Sequence, residues 1–248
     1  MTPNPILKVL STLSRNRVRY LLMGGQACVF YGAAEFSRDT DIVVLAAAEN
    51  LDRLSAALEE LQAECIAVPP FEAAFLNRGH AIRFRCHHRE ASGMRIDVMS
   101  VLRGVPAFDI LWERRVTLQD PSDTQIQLLA LSDLVKAKKT QRDKDWPMLR
   151  RLIEADIVQH RATAPQTQIR FWLEECRSPG LLMDLAKRHE QAAAELAAVR
   201  PLLRCAIRGD ENALSEALTA EEQEQRAADR AYWAPLKAEL EQLRHSRR

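Results

Sequence analysis

The sequence predicts an α/β (α+β) fold with a mixed sheet, followed by an all-helical region. Over residues 1–157, short segments of strand character alternate with amphipathic segments of helix length. Their order is strand, helix, strand, helix, hairpin, helices, which is typical of a sheet with both parallel and antiparallel neighbours. After about His160 the strand signals disappear, and the chain becomes rich in Ala, Glu, Leu and Arg. We therefore predict two regions, an α/β core over 1–157 and a helical region over 158–248.

Hydrophobic periodicity defines the elements of the first region. Helical spacing of apolar residues predicts amphipathic helices, and continuous or alternating apolar residues predict strands. The predicted helices are 6–13, 26–31, 46–61, 109–114, 128–139 and one that begins near 145. The predicted strands are 19–23, 39–45, 81–86, 94–99 and 116–118. Because the turn Ser92-Gly93 joins the third and fourth strands, these two are predicted to form an antiparallel hairpin.

Length and composition are those of an ordinary globular protein. The 248 residues are 47% hydrophobic and 28% charged, and the net charge of +1 neither favours nor excludes a nucleic-acid partner. The five cysteines include no Cys-x-x-Cys pair, and the N-terminus lacks the basic and apolar blocks of a signal peptide. No apolar run approaches the length that spans a bilayer. We therefore expect reduced cysteines, a cytoplasmic location and no membrane partner.

Two carboxylates stand at the start of a predicted buried strand. Asp39 and Asp41 lead into Ile42-Val43-Val44, and side chains two residues apart in a strand project from the same face. Neighbouring like charges are unfavourable unless a cation or water neutralises them, and oxygen ligands suit Mg²⁺. A third acid, Asp97, lies in an otherwise apolar predicted strand, where it must be paired, hydrated or bound to a metal.

A diglycine ends the strand that precedes this pair of acids. Gly24-Gly25 at a strand–helix junction allows another backbone or a phosphate to approach closely. Gln26 follows instead of Lys-Ser or Lys-Thr, which excludes an ordinary Walker A loop. Together with the acids, the diglycine indicates phosphate chemistry with a bound metal.

A basic segment follows in the predicted helix 128–139. Lys136 and Lys139 are three residues apart, so that a helix would place both on one face and let them reach the same ligand. The alternative is a solvated basic face without a ligand. The sequence leaves both interpretations open.

These motifs resemble the signature of the nucleotidyltransferase superfamily, which includes DNA polymerase β, the minimal nucleotidyltransferases and AbiEii-type toxins. The resemblance covers about 17–155 and rests on three parts: Gly24-Gly25-Gln26-Ala27 with Tyr31-Gly32, Ser37-Arg38-Asp39-Thr40-Asp41 with its apolar run, and Asp97 on a neighbouring strand. It implies that Asp39 and Asp41 hold catalytic Mg²⁺ or Mn²⁺ ions, and that Asp97 holds the second ion and helps to deprotonate the acceptor.

The resemblance also implies the residues that contact the nucleotide. Gly24 and Gly25 would present backbone N–H groups to the triphosphate, with Gln26 beside them. Lys136 and Lys139 belong to a run that is similar to a phosphate-contacting Lys…Arg-x-Lys-Asp element of AbiEii-like proteins. The activity implied is a magnesium-dependent transferase that binds ATP or another NTP. It would move a nucleoside monophosphate to a hydroxyl of RNA, a protein or a small molecule and release pyrophosphate.

The sequence departs from the family pattern in two places. Gln26 stands where many members have a phosphate-binding Ser, and Glu35 stands where related sequences often have Arg. An acid near a polyphosphate is unfavourable by charge. These departures motivate an alternative, a catalytically weak nucleotidyltransferase-fold binding module of a toxin–antitoxin or defence pair, with an antitoxin-type protein partner. A third interpretation is a structural protein that oligomerises through its helical region.

Overall fold

The structure is a computed structural model that describes residues 4–34, 37, 39–120 and 124–246. The chain divides into two compact units: unit 1 consists of Met1–Phe30, Ala34–Ala137 and Tyr232–Arg248, and unit 2 consists of Tyr31–Ala33 and Lys138–Ala231. This division differs from the predicted boundary after residue 157, because the helix around that residue is bonded to later helices. Within unit 2, the indole N–H of Trp172 donates to Asp156 Oδ2 at 2.6 Å.

Unit 1 is built on a seven-stranded sheet with the order β3-β4-β5-β2-β1-β7-β6. Its strands are β1 (Tyr20–Met23), β2 (Asp39–Val44), β3 (Ala63–Cys65), β4 (Ile82–Cys86), β5 (Arg95–Met99), β6 (Val116–Gln119) and β7 (Gln125–Leu128). The β2–β5 and β1–β7 pairs are parallel, and the other neighbours are antiparallel. The predicted α/β class with a mixed sheet is confirmed, as is the β4–β5 hairpin.

The helices of unit 1 cover the sheet and bury its apolar side chains. They are α1 (Pro5–Arg15), α2 (Gly24–Phe30), α3 (Ala48–Glu60), α4 (Ala73–Asn77), α5 (Phe108–Arg114) and α6 (Leu131–Ala137), with a short 3-10 turn at Arg89–Ala91. The end of the last helix, Glu211–Ser246, also belongs to this unit. Helix α1 begins where Asn4 Oδ1 accepts the N–H of Ile6 at 3.1 Å and proline occupies the first helical position. Leu10 and Leu13 of α1 are fully buried, as are Leu22 and Ile42 in the sheet.

The predicted helix 128–139 is wrong at both ends. Gln125–Leu128 is strand β7, whose last residue pairs with Leu22 of β1, and α6 begins only at Leu131 and ends at Ala137. The alternating sequence Gln-Ile-Gln-Leu places Ile126 and Leu128 in the core. Strand β3 and helix α4 were not predicted, because three and five residues are too few to show periodicity.

Unit 2 is helical over the part that the structure describes. Its helices are α7 (Asp145–His160), α8 (Gln166–Glu175), α9 (Pro179–Arg188), α10 (Glu190–Leu196), α11 (Leu203–Arg208) and the first part of α12 (Glu211–Ser246). Trp172, Leu173, Leu182 and Leu203 form its buried core. Gly209, with a φ of 72°, ends α11 in the left-handed conformation that glycine adopts without strain.

Two predictions about the whole chain concern its cysteines and its membrane spans. All five cysteines are free. None of the helices in the described ranges is both long enough and apolar enough to cross a membrane.

Candidate functional site

The three predicted acids meet on two neighbouring strands of unit 1. Strands β2 and β5 are parallel and in register, with Asp41 opposite Asp97 and Asp39 opposite Arg95. Neighbouring strands lie about 4.8 Å apart, and opposite residues of a parallel pair project from the same face. Asp39 shares that face with Asp41 because it is two residues away. The structure therefore brings all three carboxylates to one end of one sheet face.

Gly24 lies against this group of acids. Strand β1 is antiparallel to β2 with Met23 opposite Asp41, so that the next residue of the chain, Gly24, comes directly beside that aspartate. A Cβ atom on Gly24 would lie 1.8 Å from Asp41 Oδ2, and the φ of Gly24 is +67°. Both facts require glycine here.

The second glycine of the pair has its own close neighbour. A Cβ atom on Gly25 would lie 2.7 Å from Ser37 Oγ. That hydroxyl donates to the carbonyl oxygen of Asp39 at 3.2 Å. The diglycine thus lets the start of α2 pack closely against the segment that carries Asp39 and Asp41.

Two arginines, which the sequence analysis did not identify, neutralise part of the negative charge. Arg95 holds Asp39 through two hydrogen bonds, Nε to Oδ1 at 2.7 Å and Nη2 to Oδ2 at 2.5 Å. Arg83 Nε lies 3.5 Å from Asp97 Oδ2. The hydrogen bond and charge of Asp39 raise the pKa of Arg95, and Asp97 and Asp41 add to this against an opposing effect of burial.

The alternation within the hairpin is the sequence signal that could have found these arginines. Arg83 is opposite Asp97 across the antiparallel β4–β5 pair, and Arg95 lies two residues before Asp97 in β5. Both positions share the face of the acids. One face of the sheet therefore carries both arginines next to the three aspartates.

The ligand chemistry of the site suits a hard divalent ion, but its present geometry does not form an ion cage. Carboxylate oxygens are the donors that Mg²⁺ and Mn²⁺ prefer. Within the described ranges, however, no group of three or more His, Cys, Asp or Glu side chains is arranged to hold a metal ion. Both oxygens of Asp39 are bonded to Arg95, so an ion at this carboxylate would compete with that guanidinium for its charge.

Gln26 directly follows the diglycine and is the third residue of α2. Its side chain is only 7% exposed, and its Oε1 has no hydrogen-bond partner among the residues that the structure describes. A buried amide that lacks a partner is costly, so this group is available to a ligand or a water molecule. Glu35, the second departure from the family pattern, lies outside the described residues.

The expected pairing of Lys136 and Lys139 on one helical face is wrong, because α6 ends at Ala137. Lys136 is exposed in the last turn of α6. Lys139 lies beyond the helix in unit 2, where its Nζ is 2.6 Å from Glu175 Oε2. Lys139 therefore has a structural ion pair, and only Lys136 is left as a cation on α6.

The remainder of the basic segment also serves the structure of unit 2. Asp145, which begins α7, accepts hydrogen bonds from Lys138 Nζ at 3.2 Å, Thr140 Oγ1 at 2.6 Å and Arg142 Nε at 2.8 Å. Burial alone would raise the pKa of Asp145, but Lys138, Thr140 and Arg142 together lower it. This network fixes the connection that leads into α7.

Comparison with known proteins adds no family assignment. No protein-family model matches the chain, and no curated protein matches it either.

Proposed function

We propose that unit 1 is a metal-dependent nucleotidyltransferase that transfers a nucleoside monophosphate from an NTP to a hydroxyl acceptor and releases pyrophosphate. The observation that carries this proposal is the in-register pairing of Asp41 with Asp97 beside Gly24. The family signature has its third acid on a strand that neighbours the Asp-x-Asp strand, and β5 neighbours β2 in this way. A chance match of motifs in sequence does not require these residues to share one face of a sheet, so their arrangement here supports the proposal.

Each residue of the site has a role in this proposal. Asp39, Asp41 and Asp97 are the ion ligands, and Asp97 also accepts the proton of the attacking hydroxyl. Bound divalent ions would supply neutralisation of the charge that develops on the α-phosphate and on the leaving pyrophosphate. The N–H groups of Gly24 and Gly25 and the amide of Gln26 hold the triphosphate. Arg95, once it leaves Asp39, can donate to two phosphate oxygens at once, the bidentate geometry that guanidinium groups favour.

Transfer of label from NTPs tests the proposal. The protein is incubated with each α-labelled NTP, Mg²⁺ or Mn²⁺, and RNA, protein or small-molecule hydroxyl acceptors. We expect D41N and D97N to lose activity by a factor on the order of 10²–10³, as when one charge-stabilising group is removed from an active site. D52N, which changes an exposed aspartate on α3, is the matched control and should retain activity. Absence of transfer with the unmodified protein, or equal activities of D41N and D52N, would contradict the proposal.

A second candidate function is favoured by the arginines of the site. Arg95 and Arg83 already neutralise Asp39 and Asp97, as expected in a catalytically weak binding module of a toxin–antitoxin or defence pair. Calorimetric titration with Mn²⁺ and a non-hydrolysable NTP separates the two functions. Binding of both favours the transferase. Absence of binding, together with co-purification of the product of an adjacent gene, favours the binding module.

A further inference from the structure

Unit 2 contains an open groove of about 670 Å³ that none of the proposed catalytic residues lines. Residues of α7 and α12 and the segment before α9 form its walls, among them Trp146, Arg150, Arg151, Arg177 and Arg226. Its volume lies within the range of small-molecule sites, roughly 300–1,000 Å³. Four arginines and three carboxylates line it, which makes an anion the favoured occupant.

Arg177 is the buried polar group of this groove. Its side chain is 7% exposed, and its guanidinium lies over the ring of Trp146 at 4.6 Å. Nη2 donates to Glu221 Oε2 at 3.0 Å, whereas Nε has no acceptor anywhere in the described part of the chain. A buried N–H without an acceptor is costly, and an acceptor atom of a ligand would remove that cost.

A second buried guanidinium competes for the hydrogen-bonded carboxylate partner of Arg177. Glu221 is its carboxylate partner, but Arg200 donates to the same carboxylate, from Nε at 3.1 Å and from Nη2 at 2.9 Å. Two buried guanidinium groups thus share one carboxylate. Burial lowers the pKa of Arg177 and Arg200 acts in the same direction, while Glu221, Glu175 and Glu222 oppose them. An added anion would stabilise the charged form of Arg177.

The acids of the groove are bonded to other groups of the protein. Arg226 pairs with both Asp143 and Glu222, and Ser178 Oγ donates to Glu154. Arg150 and Arg151 are exposed on α7, on the same groove as Arg177. These three arginines are therefore the donors that an incoming anion meets.

We propose that this groove binds the phosphate monoester of a small phosphorylated molecule, with Arg177, Arg150 and Arg151 as its donors. A planar guanidinium matches two phosphate oxygens at once, and a dianionic monoester suits several guanidinium groups better than a singly charged diester does. This site is independent of the proposed transferase chemistry, because its residues all belong to unit 2.

Calorimetry on the full chain, without divalent ions and in the D41N background, tests this site apart from the proposed catalytic one. The probes are AMP and glucose 6-phosphate as monoesters, adenosine without phosphate, and a 5′-hydroxyl oligonucleotide with diesters only. We expect both monoesters to bind, and adenosine and the oligonucleotide to bind at least about tenfold more weakly. Equal binding of adenosine, tighter binding of the oligonucleotide, or no binding of either monoester would overturn the proposal.

Arginine variants then assign the binding to the groove. R150Q/R151Q changes two exposed residues and should weaken AMP binding at least about tenfold, whereas R161Q/R204Q, which changes two exposed arginines outside the groove, should not. R177K keeps the charge but lacks Nε, so a folded R177K protein should also bind AMP more weakly. If R177K fails to fold, AMP binding by R150Q/R151Q alone tests the site. Unchanged affinity in R150Q/R151Q would refute the site.

Discussion

Gly24 and Asp41 restrict each other through a direct contact in unit 1. Any side chain at position 24 would overlap the Asp41 carboxylate, and the backbone there has a positive φ of 67°. The left-handed conformation costs a non-glycine residue about 1–2 kcal/mol, and overpacking costs a further 1–3 kcal/mol or so. The two costs can be measured separately, because Gly93 has a positive φ but no neighbour close to an added Cβ.

We predict that G24A lowers the free energy of unfolding by about 2–5 kcal/mol, measured by urea denaturation. Gly93 provides the control, since its φ of +77° is similar but nothing lies within 4 Å of its added Cβ. G93A should therefore lose only about 1–2 kcal/mol. Equal losses in the two variants would mean that the Asp41 contact relaxes without cost.

Single residues of the site were predictable to different degrees. The shared face of Asp39 and Asp41 follows from their two-residue spacing, which is local information. The position of Asp97 beside Asp41 depends on the parallel pairing of β2 and β5, whose sequences lie far apart. Periodicity does not specify which strands pair, so family resemblance supplied this expectation. Arg95 and Arg83 were not predicted, because metal and phosphate chemistry points to carboxylates and glycines and not to the cations that neutralise those carboxylates.

At the scale of elements, the start of α7 depends on a buried carboxylate. Asp145 is 2% exposed and is bonded to Lys138, Thr140 and Arg142, and its pKa is lowered. A carboxylate whose pKa is lower in the folded state contributes stability above its unfolded pKa of about 3.9. That contribution is lost as the pH falls through the folded value.

We predict that D145N destabilises the protein by about 3–5 kcal/mol at pH 7, because Lys138 is left buried without its counter-charge. Between pH 7 and pH 3, the unfolding free energy of D145N should also fall less steeply than that of the unmodified protein. Denaturation curves at several pH values measure both effects. D184N, at an exposed position of α9, is the control that should show the original pH dependence.

The predictions from sequence failed mainly at short elements. Longer amphipathic segments such as α3 were located to within two residues at their N-terminal end, because their apolar face repeats over several turns. Leu128 was assigned to a helix, although the alternation of Gln125–Leu128 and its pairing with Leu22 make it the end of a strand. With four residues, pairing across the sheet decides the structure more than local preference does.

For the whole molecule, the last part of α12 belongs with unit 1 and not with the helical region to which the sequence assigned it. Glu239 binds two groups of the α4–β4 connection: Arg78 Nη2 at 2.7 Å and His80 Nε2 at 2.7 Å. His80 is 1% exposed, so the loss of Glu239 would leave a buried imidazole without this partner. Nothing local in an Ala/Glu/Leu-rich helix indicates such a distant contact.

We predict that a chain ending at residue 231 has a melting temperature at least about 5 °C lower than that of the full chain. In a protein of this size, such a shift corresponds to a loss of roughly 2 kcal/mol or more of unfolding free energy. A chain ending at residue 243 keeps Glu239 and should melt within about 1 °C of the full chain. Differential scanning calorimetry of both truncations gives the comparison. Identical melting of the two would show that residues 232–243 contribute nothing to unit 1.

The overlap that any side chain at position 24 would have with Asp41 has a genetic consequence. If cells carrying G24A were selected for revertants with restored folding, second-site changes to a smaller residue at position 41 would be among the solutions, because they remove the atoms that collide. Such suppressors would regain solubility while discarding a proposed ion ligand. In a G24A background, selection for expression alone would therefore act against the proposed transferase activity.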